Sequence, residues 1–281
     1  MAKVDILLAT YNGSKYVSDQ IESILAQTYQ DWVLLIHDDG SKDDTVALLE
    51  SYENKYPDKI ELIRDGVCTG GAKQNFSHLL GFSKSDYIMF CDQDDIWLPQ
   101  KIERTLSAMR SAETENPGVS ILVHSDLTVV DVNLNVLTES MFKGQRLNAR
   151  LQRLDQLLMC NSITGCTVMF NRELLKRSPA IPDEAIMHDW WLGCVTLNSS
   201  GIVVFVDEPL IMYRQHQENT IGYKHFGFVF LITKILDIKV LIKNFNLAVR
   251  QAKMLDNEFG LGYLTLLKIR CFVQKLVRSG L

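Results

Sequence analysis

Three carboxylates, Asp92, Asp94 and Asp95, directly follow the apolar run Tyr87 to Cys91. Asp92 and Asp94 have i, i+2 spacing. In extended backbone such residues point the same way, so two hard oxygen ligands can share one divalent cation. A bland reading competes with this one: Asp95 caps a helix opened by Ile96-Trp97-Leu98-Pro99, and the other two acids are solvated loop residues. A second acidic pair, Asp38 and Asp39, follows the run Trp32 to Ile36 and precedes Gly40-Ser41. There a plain turn with a helix cap accounts for the pattern as well as ligand binding does. Neither group decides the matter alone; the elements that carry them do.

Val4 to Ala9 is apolar apart from Asp5, as in a buried parallel strand, and Thr10-Tyr11-Asn12-Gly13 breaks it. Tyr16, Ile21, Ile24 and Leu25 then recur at helical spacing. Trp32 to Ile36 reads as a second strand, a helix follows from Asp44 to Tyr56-Pro57, and Ile60 to Ile63 is a third strand. Gly70-Gly71 opens a helix through Leu80, and Tyr87 to Cys91 is the fourth strand. Strands alternating with helices in this way predict a largely parallel, doubly wound α/β sheet, which presents ligands at the carboxyl ends of its strands. The loops after residues 9, 36 and 91 fall along that edge. Neither G-x-x-x-x-G-K-[ST] nor G-x-G-x-x-G occurs, so a phosphate-loop ATPase and a dinucleotide-binding turn are both excluded. An edge built of carboxylates suits a ribose and a metal-bridged diphosphate.

The second half is less regular. Pro99 to Met109 reads as helix, Val119 to Val132 as strand or hairpin, Leu151 to Cys160 as helix, and Gly165 to Asn171 as strand. Arg172 to Arg177 reads as a short helix, and another begins at His188. Ile202 to Val206 and Leu210 to Arg214 are two further strands.

Four motifs in register carry a resemblance: Ala9-Thr-Tyr-Asn-Gly13, Asp38-Asp-Gly-Ser41, Cys91-Asp-Gln-Asp-Asp-Ile-Trp97 and His188-Asp-Trp-Trp191. Together they resemble an inverting family 2 glycosyltransferase of the GT-A fold over residues 3–220. His124-Ser-Asp-Leu127 and Tyr213-Arg-x-His-x-x-Asn219 further resemble the bacterial rhamnosyltransferase-like branch, which typically uses dTDP-L-rhamnose.

The resemblance implies a catalytic domain over residues 1–220, with a nucleotide-sugar half (1–98) and an acceptor half (99–220). It also implies roles. Thr10, Tyr11, Asn12, Asp38 and Asp39 hold the nucleoside, and Asp94 with Asp92 holds Mn²⁺ or Mg²⁺, Asp92 also serving the ribose. Asp189 is the base that takes the acceptor hydroxyl proton; an N-cap role is compatible with that. The family often shows Glu-Asp where this chain has His188-Asp189. Lys73, Arg214 and His216 offer cationic donors to the diphosphate, against the plain reading of solvated side chains. Asp126, Trp97, His188 and Trp190 fall on the acceptor side, and the tryptophans, Trp191 among them, serve either sugar stacking or core packing.

The formal net charge of −5 gives no overall pull toward nucleic acid, and it hides an asymmetry. After Gly222 ten basic residues face three acidic ones, +7, leaving −12 for the rest. Residues 221–281 therefore read as a basic, amphipathic helical tail, in which Phe228 to Ile242 forms a broad apolar surface bordered by lysines. Such a helix can lie on an anionic membrane, pack on the catalytic domain or mediate a homodimer. The six scattered cysteines lack a C-x-x-C pair and read as buried thiols of a cytosolic protein, and the N-terminus lacks a signal-peptide pattern. The expectation is thus a cytoplasmic enzyme, peripheral at the inner face of the plasma membrane, that moves L-rhamnose onto a cell-surface polysaccharide or lipid-linked acceptor. A UDP-hexose donor and a dead glycan-binding or scaffolding protein are the alternatives. A nucleotidyltransferase would need a Gly-rich N-terminal loop, which is lacking.

Overall fold

A computed structural model describes residues 3–216 and 238–277. The tail positions Phe228 to Leu236, and Asn219 of the Tyr213 motif, lie outside the described residues. The first half is a βα series: β1 (Val4–Thr10), α1 (Val17–Leu25), β2 (Trp32–Asp38), α2 (Thr45–Lys55), β3 (Ile60–Leu62), α3 (Ala72–Leu80) and β4 (Tyr87–Cys91). These four strands are mutually parallel in the order β3-β2-β1-β4. Successive β1 residues face opposite layers, as a pleated strand requires. Ile6 and Leu8 join the core shared with α1 and α2, and Leu7 joins the one shared with α3. Asp5, the single acid in β1, is buried beneath the turn before β4, where it accepts bonds from Ser83 Oγ, Lys84 N–H and both donors of Ser85. Such full satisfaction is what lets a carboxylate lie inside.

The remaining elements are β5 (Ile96–Trp97), α4 (Lys101–Glu115), β6 (Ile121–Val130), β7 (Val136–Thr138), α5 (Met141–Gln145), β8 (Met169–Asn171), α6 (Arg172–Arg177), α7 (His188–Asn198) and β9 (Ile202–Arg214). They continue the sheet as β4-β8-β6-β9-β5, with β7 paired to β6. β8 is antiparallel to both its neighbours, and β6 runs parallel to β9.

The structure corrects four expectations. Ile96-Trp97 is a short strand against β9 and opens no helix. Leu98, which precedes Pro99, is biased to extended backbone, and the helix starts only at Lys101 with Gln100 as its cap, so Asp95 caps nothing. Residues 151–160 form only a 3-10 turn at Leu154–Gln156, because their carbonyls serve other partners: Leu157 O accepts Trp190 Nε1 and Met159 O accepts Lys268 Nζ, both at 2.7 Å. Gly165–Thr167 is likewise a 3-10 turn, and the strand begins at Met169. The two strands read over residues 202–214 are one, interrupted by a bulge where Ser125 pairs with Val206 and Asp126 with Pro209. Pro209 cannot donate to the ladder, so the bulge falls there.

After the undescribed segment come α8 (Ile238–Leu255) and α9 (Leu261–Val277). Ala248, Ala252, Leu264 and Leu267 are buried in the same core as Leu192 of α7, and Gln251 Oε1 accepts the Ile186 N–H. For these helices the packing alternative holds. The outward side still exposes Ile242, Leu266, Ile269 and Val273, and among the described residues no helix is long and apolar enough to cross a membrane.

Candidate active site

A cleft of about 850 Å³ opens at the carboxyl ends of β1, β2 and β4, where an open α/β sheet presents its loops. Thr10, Tyr11 and Asp39 line one side, Asp92, Gln93 and Asp94 its floor, and Asn161, Asp189 and Trp190 the other side. Residues 150 positions apart in the chain thus share one cavity.

The nucleoside side is held by side chains that bond across loops. Asp38 accepts from Thr10 Oγ1 at 2.8 Å, from Ser41 N–H at 2.7 Å and from Ser41 Oγ at 2.6 Å. Asn12, with φ 47°, accepts the Lys42 N–H, while its own N–H donates to Ser41 Oγ. Neither Asp38 nor Asn12 lines the cleft; they tie the β1 and β2 loops together. Asp39 does line it, with its carboxylate cradled by the N–H groups of Thr69, Gly70 and Gly71 just before α3. Gln93 pairs with both backbone groups of Tyr11, donating to its carbonyl at 3.0 Å and accepting its N–H at 2.9 Å. A Cβ at Gly13 would run into Gln93 Oε1, so only glycine permits that approach.

The three acids after β4 separate in role. Asp94 accepts from His216 Nε2 at 2.7 Å. Asp92 is pushed up to about 7 by burial and then by the neighbouring charges of Asp94 and Asp189. Asp95 is wholly buried beneath the floor, where Arg214 N–H donates to it at 3.2 Å and the Cys166 thiol bonds it. Burial, followed by the charges of Asp94 and Asp92, raises its carboxyl well above the usual range. Oxygens of Asp92 and Asp95 lie within 4.8 Å of each other and of Cys166 Sγ. A neutral thiol and a buried acid are poor company for a hard cation; Asp92 and Asp94, which face the cleft, offer the suitable oxygens. Under this cluster Lys101 is fully buried with Nζ 3.7 Å from the Trp97 ring centroid, and burial lowers it to about 7.

Asp189 is the second residue of α7, after Met187 at the cap position and His188. Its carboxylate accepts the Trp190 N–H at 2.7 Å and Asn161 Nδ2 at 3.3 Å. Burial outweighs these bonds and raises it to about 6, the range in which a carboxylate works as a base at neutral pH.

Several residues expected at the site are engaged elsewhere. Lys73 Nζ donates to the carbonyls of Asp183 and Ala185, fastening the loop before α7 to α3. Arg214 is buried; it donates to the carbonyls of Asp94 and Val132 and to Asp19 Oδ2, and lies over the Tyr16 ring. It braces the loop after β4. His216 reaches the site through Asp94. Asp126 is buried outside the cleft, accepting from Ser140 Oγ and the N–H groups of Leu127 and Phe142 at the start of α5. Trp97 and Trp191 are core residues. His188 is wedged between Phe76 and Phe90, and burial lowers its imidazole to about 3. Of the acceptor-side set, His188 and Trp190 line the cleft, and Trp190 is half-buried there with its Nε1 donating to Leu157 O.

Gln93, Asn161 and Lys101 were not singled out by sequence. Gln93 bonds a residue 82 positions away and Asn161 one 28 away, so spacing carries no signal for either.

This sheet order, with carboxylates gathered at one edge, is that of a GT-A glycosyltransferase. The sequence signature described as Glycosyl transferase family 2 matches residues 5–178, and the chain belongs to that family. It is 27% identical, over 97% of its length and 94% of the relative's, to "dTDP-rhamnosyl transferase RfbG" of Shigella flexneri. Among solved structures it is similar to S. aureus TarS 1–349 in complex with UDP-GlcNAc, with TM-score 0.67 and 15% identity over 98% of this chain and 73% of that one. It is also similar to mannosyltransferase PcManGT from Pyrobaculum calidifontis in complex with GDP-Man and Mn²⁺, with TM-score 0.59 and 16% identity over 99% and 74%.

Proposed function

We propose that this chain transfers L-rhamnose from dTDP-L-rhamnose, with inversion, to a bacterial cell-surface polysaccharide or lipid-linked acceptor. One observation carries the reaction class: Asp39, Asp92, Asp94 and Asp189 line a single cleft, so the nucleotide and base ends face one cavity. The near full-length similarity to a dTDP-rhamnosyl transferase supports the donor.

Single displacement at the anomeric carbon fits this layout. Thr10, Tyr11 and Asp39 hold the nucleoside. Asp189 takes the proton of the acceptor hydroxyl as its oxygen bonds to the sugar carbon, and the bond to the nucleoside diphosphate breaks on the opposite face. Trp190 offers the acceptor an aromatic wall. The donor set suits Mn²⁺ or Mg²⁺: Asp94 and Asp92 are hard oxygen ligands, and the burial and neighbouring charges that raise Asp92 are what a cation offsets. When bound by these two residues the ion would supply positive charge to the departing diphosphate.

The exposed apolar side of α8 and α9, with the basic excess after Gly222, suits contact with an anionic membrane where a lipid-linked acceptor lies. Residues 1–220 would then be the catalytic unit and 221–281 its membrane-facing tail.

A thermal-shift panel of nucleotide sugars with Mn²⁺ tests the donor. The largest stabilisation is expected from dTDP-L-rhamnose; a larger response to UDP-hexoses would replace the donor, and no response to any nucleotide would leave a glycan-binding protein.

A further inference from the structure

Away from the acid cluster, beside the nucleoside end of the cleft, three side chains from different elements converge. His37 comes from β2, His78 from α3 and Asp65 from the loop after β3, with ligand atoms within 4.8 Å of one another. His37 Nε2 lies 3.5 Å from Asp65 Oδ1, and His78 Nε2 lies 2.6 Å from Asp65 Oδ2. The two imidazole rings stand edge to face at 4.7 Å.

Asn75 fixes the protons of this group. Its Nδ2 donates to the His37 carbonyl at 3.0 Å, and a carbonyl only accepts, so Oδ1 is the atom turned toward His37 Nδ1, at 2.8 Å. Nδ1 therefore carries hydrogen, and in neutral imidazole Nε2 presents its lone pair. That lone pair faces a carboxylate oxygen, acceptor against acceptor, in a place where His37 is only 2% exposed. Either a proton on Nε2 or a bound cation must lie between the members of such a pair. A ring nitrogen donating to an amide oxygen while the other faces outward is also how metal-ligating histidines are oriented. Asn75 and His78 lie three apart on one face of α3, so one helix supplies both the orienting group and a ligand.

We propose that His37 Nε2, His78 Nε2 and a carboxylate oxygen of Asp65 bind one Zn²⁺ ion, with water in the fourth position. Two imidazoles and one carboxylate are a borderline N/O donor set that favours zinc over magnesium or calcium. Binding requires the hydrogen that His78 Nε2 donates to Asp65 to leave that nitrogen, for the other ring nitrogen or for solvent. The ion would tie together both ends of the Asp39 cradle. His37 precedes Asp39 by two residues, and Asp65 begins the loop whose Thr69, Gly70 and Gly71 N–H groups hold the Asp39 carboxylate. The site is separate from Asp92 and Asp94 and does not depend on the donor assigned above.

The test titrates Zn²⁺ into chelator-treated full-length protein by calorimetry, in an Asp94→Ala background that removes the other candidate cation site. One Zn²⁺ per chain is expected, and Co²⁺ in its place should give visible d–d absorption. His78→Ala and Asp65→Ala, at partly exposed positions, should weaken binding at least tenfold while leaving the metal-free melting temperature close to that of the parent. Equal zinc affinity in both variants, or no zinc bound by the parent, would overturn the site and leave a proton-bridged His–Asp–His group.

Discussion

His216 Nε2 stands 2.7 Å from Asp94 Oδ2, so a residue just past β9 orients the carboxylate that follows β4, 122 positions earlier. The imidazole also packs on the Tyr16 ring, at 4.9 Å between centroids, which limits the directions from which it can donate. A partner that holds a metal-ligating carboxylate typically contributes about 10–100-fold in metal affinity or activity. His216→Ala is therefore expected to raise the Mn²⁺ concentration for half-maximal turnover by about that factor. Asp94→Ala should abolish metal-dependent donor binding. Metal titrations of turnover and nucleotide affinity check both, and unchanged nucleotide affinity in Asp94→Ala would remove the metal assignment.

Asp189→Asn keeps the shape at the start of α7 and removes the carboxylate proposed as the base. Turnover should fall by about 10²–10⁴-fold while donor affinity holds. The pH dependence follows from the sign of the shift. Burial raises the Asp189 carboxyl from 3.8 to about 6, so the proton binds at a higher pH than usual and the base is lost as pH falls through about 6. The acid limb of kcat/KM should lie near that value and not near 4. For stability the sign is opposite to a salt-bridged acid: the folded state prefers the proton, so the charged form costs stability as pH rises between 3.8 and about 6. A melting temperature for Asp189→Asn that exceeds the parent's at pH 7.5, with the gap closing toward pH 4, would show this.

How much of this was legible in the sequence divides by the range of the contacts. The βα series through Cys91 was readable because each strand and helix declares itself locally, down to the strand at Tyr87–Cys91. That Asp92, Asp94 and Asp189 share one cleft was readable because their motifs recur in register. What failed was long-range satisfaction. Lys73 and Arg214 look like anion ligands in one dimension, yet in the structure they donate to the carbonyls of Asp183, Ala185, Asp94 and Val132. Residues 151–160 read as a helix, but Trp190 and Lys268 claim two of their carbonyls. His188 reads as a polar neighbour of the base, and its depth shows only once Phe76 and Phe90 flank it.

That burial leads to a packing prediction. A Cβ added at Gly165 would lie 2.5 Å from His188 Nε2, and Phe76 and Phe90 flank that ring. Gly165→Ala should destabilise the fold by about 1–3 kcal/mol. Trimming the obstacle in the double variant Gly165→Ala/His188→Ala should couple the two sites, with a cost below the sum of the single changes. Urea melts of the four proteins check this, and strict additivity would mean that the two residues do not touch.

The C-terminal helices separate two expectations that the tail's composition had merged. Their inner side belongs to the core: Leu264 is fully buried beside Leu267, Ala248 and Ala252, so Leu264→Ala should cost about 2–5 kcal/mol, and ending the chain at residue 237 should expose that face and cause aggregation. Their outer side is open, with Leu266 67% and Ile269 55% exposed at three-residue spacing. Leu266→Glu/Ile269→Glu should therefore leave the melting temperature and turnover on a soluble acceptor near the parent's. If the outer face meets an anionic bilayer, the same double change should abolish flotation with phosphatidylglycerol vesicles, since it replaces two buried apolar contacts with like-charge repulsion. Retained flotation would assign membrane contact to another surface, and a fall in self-association on gel filtration would assign this face to a second copy of the chain.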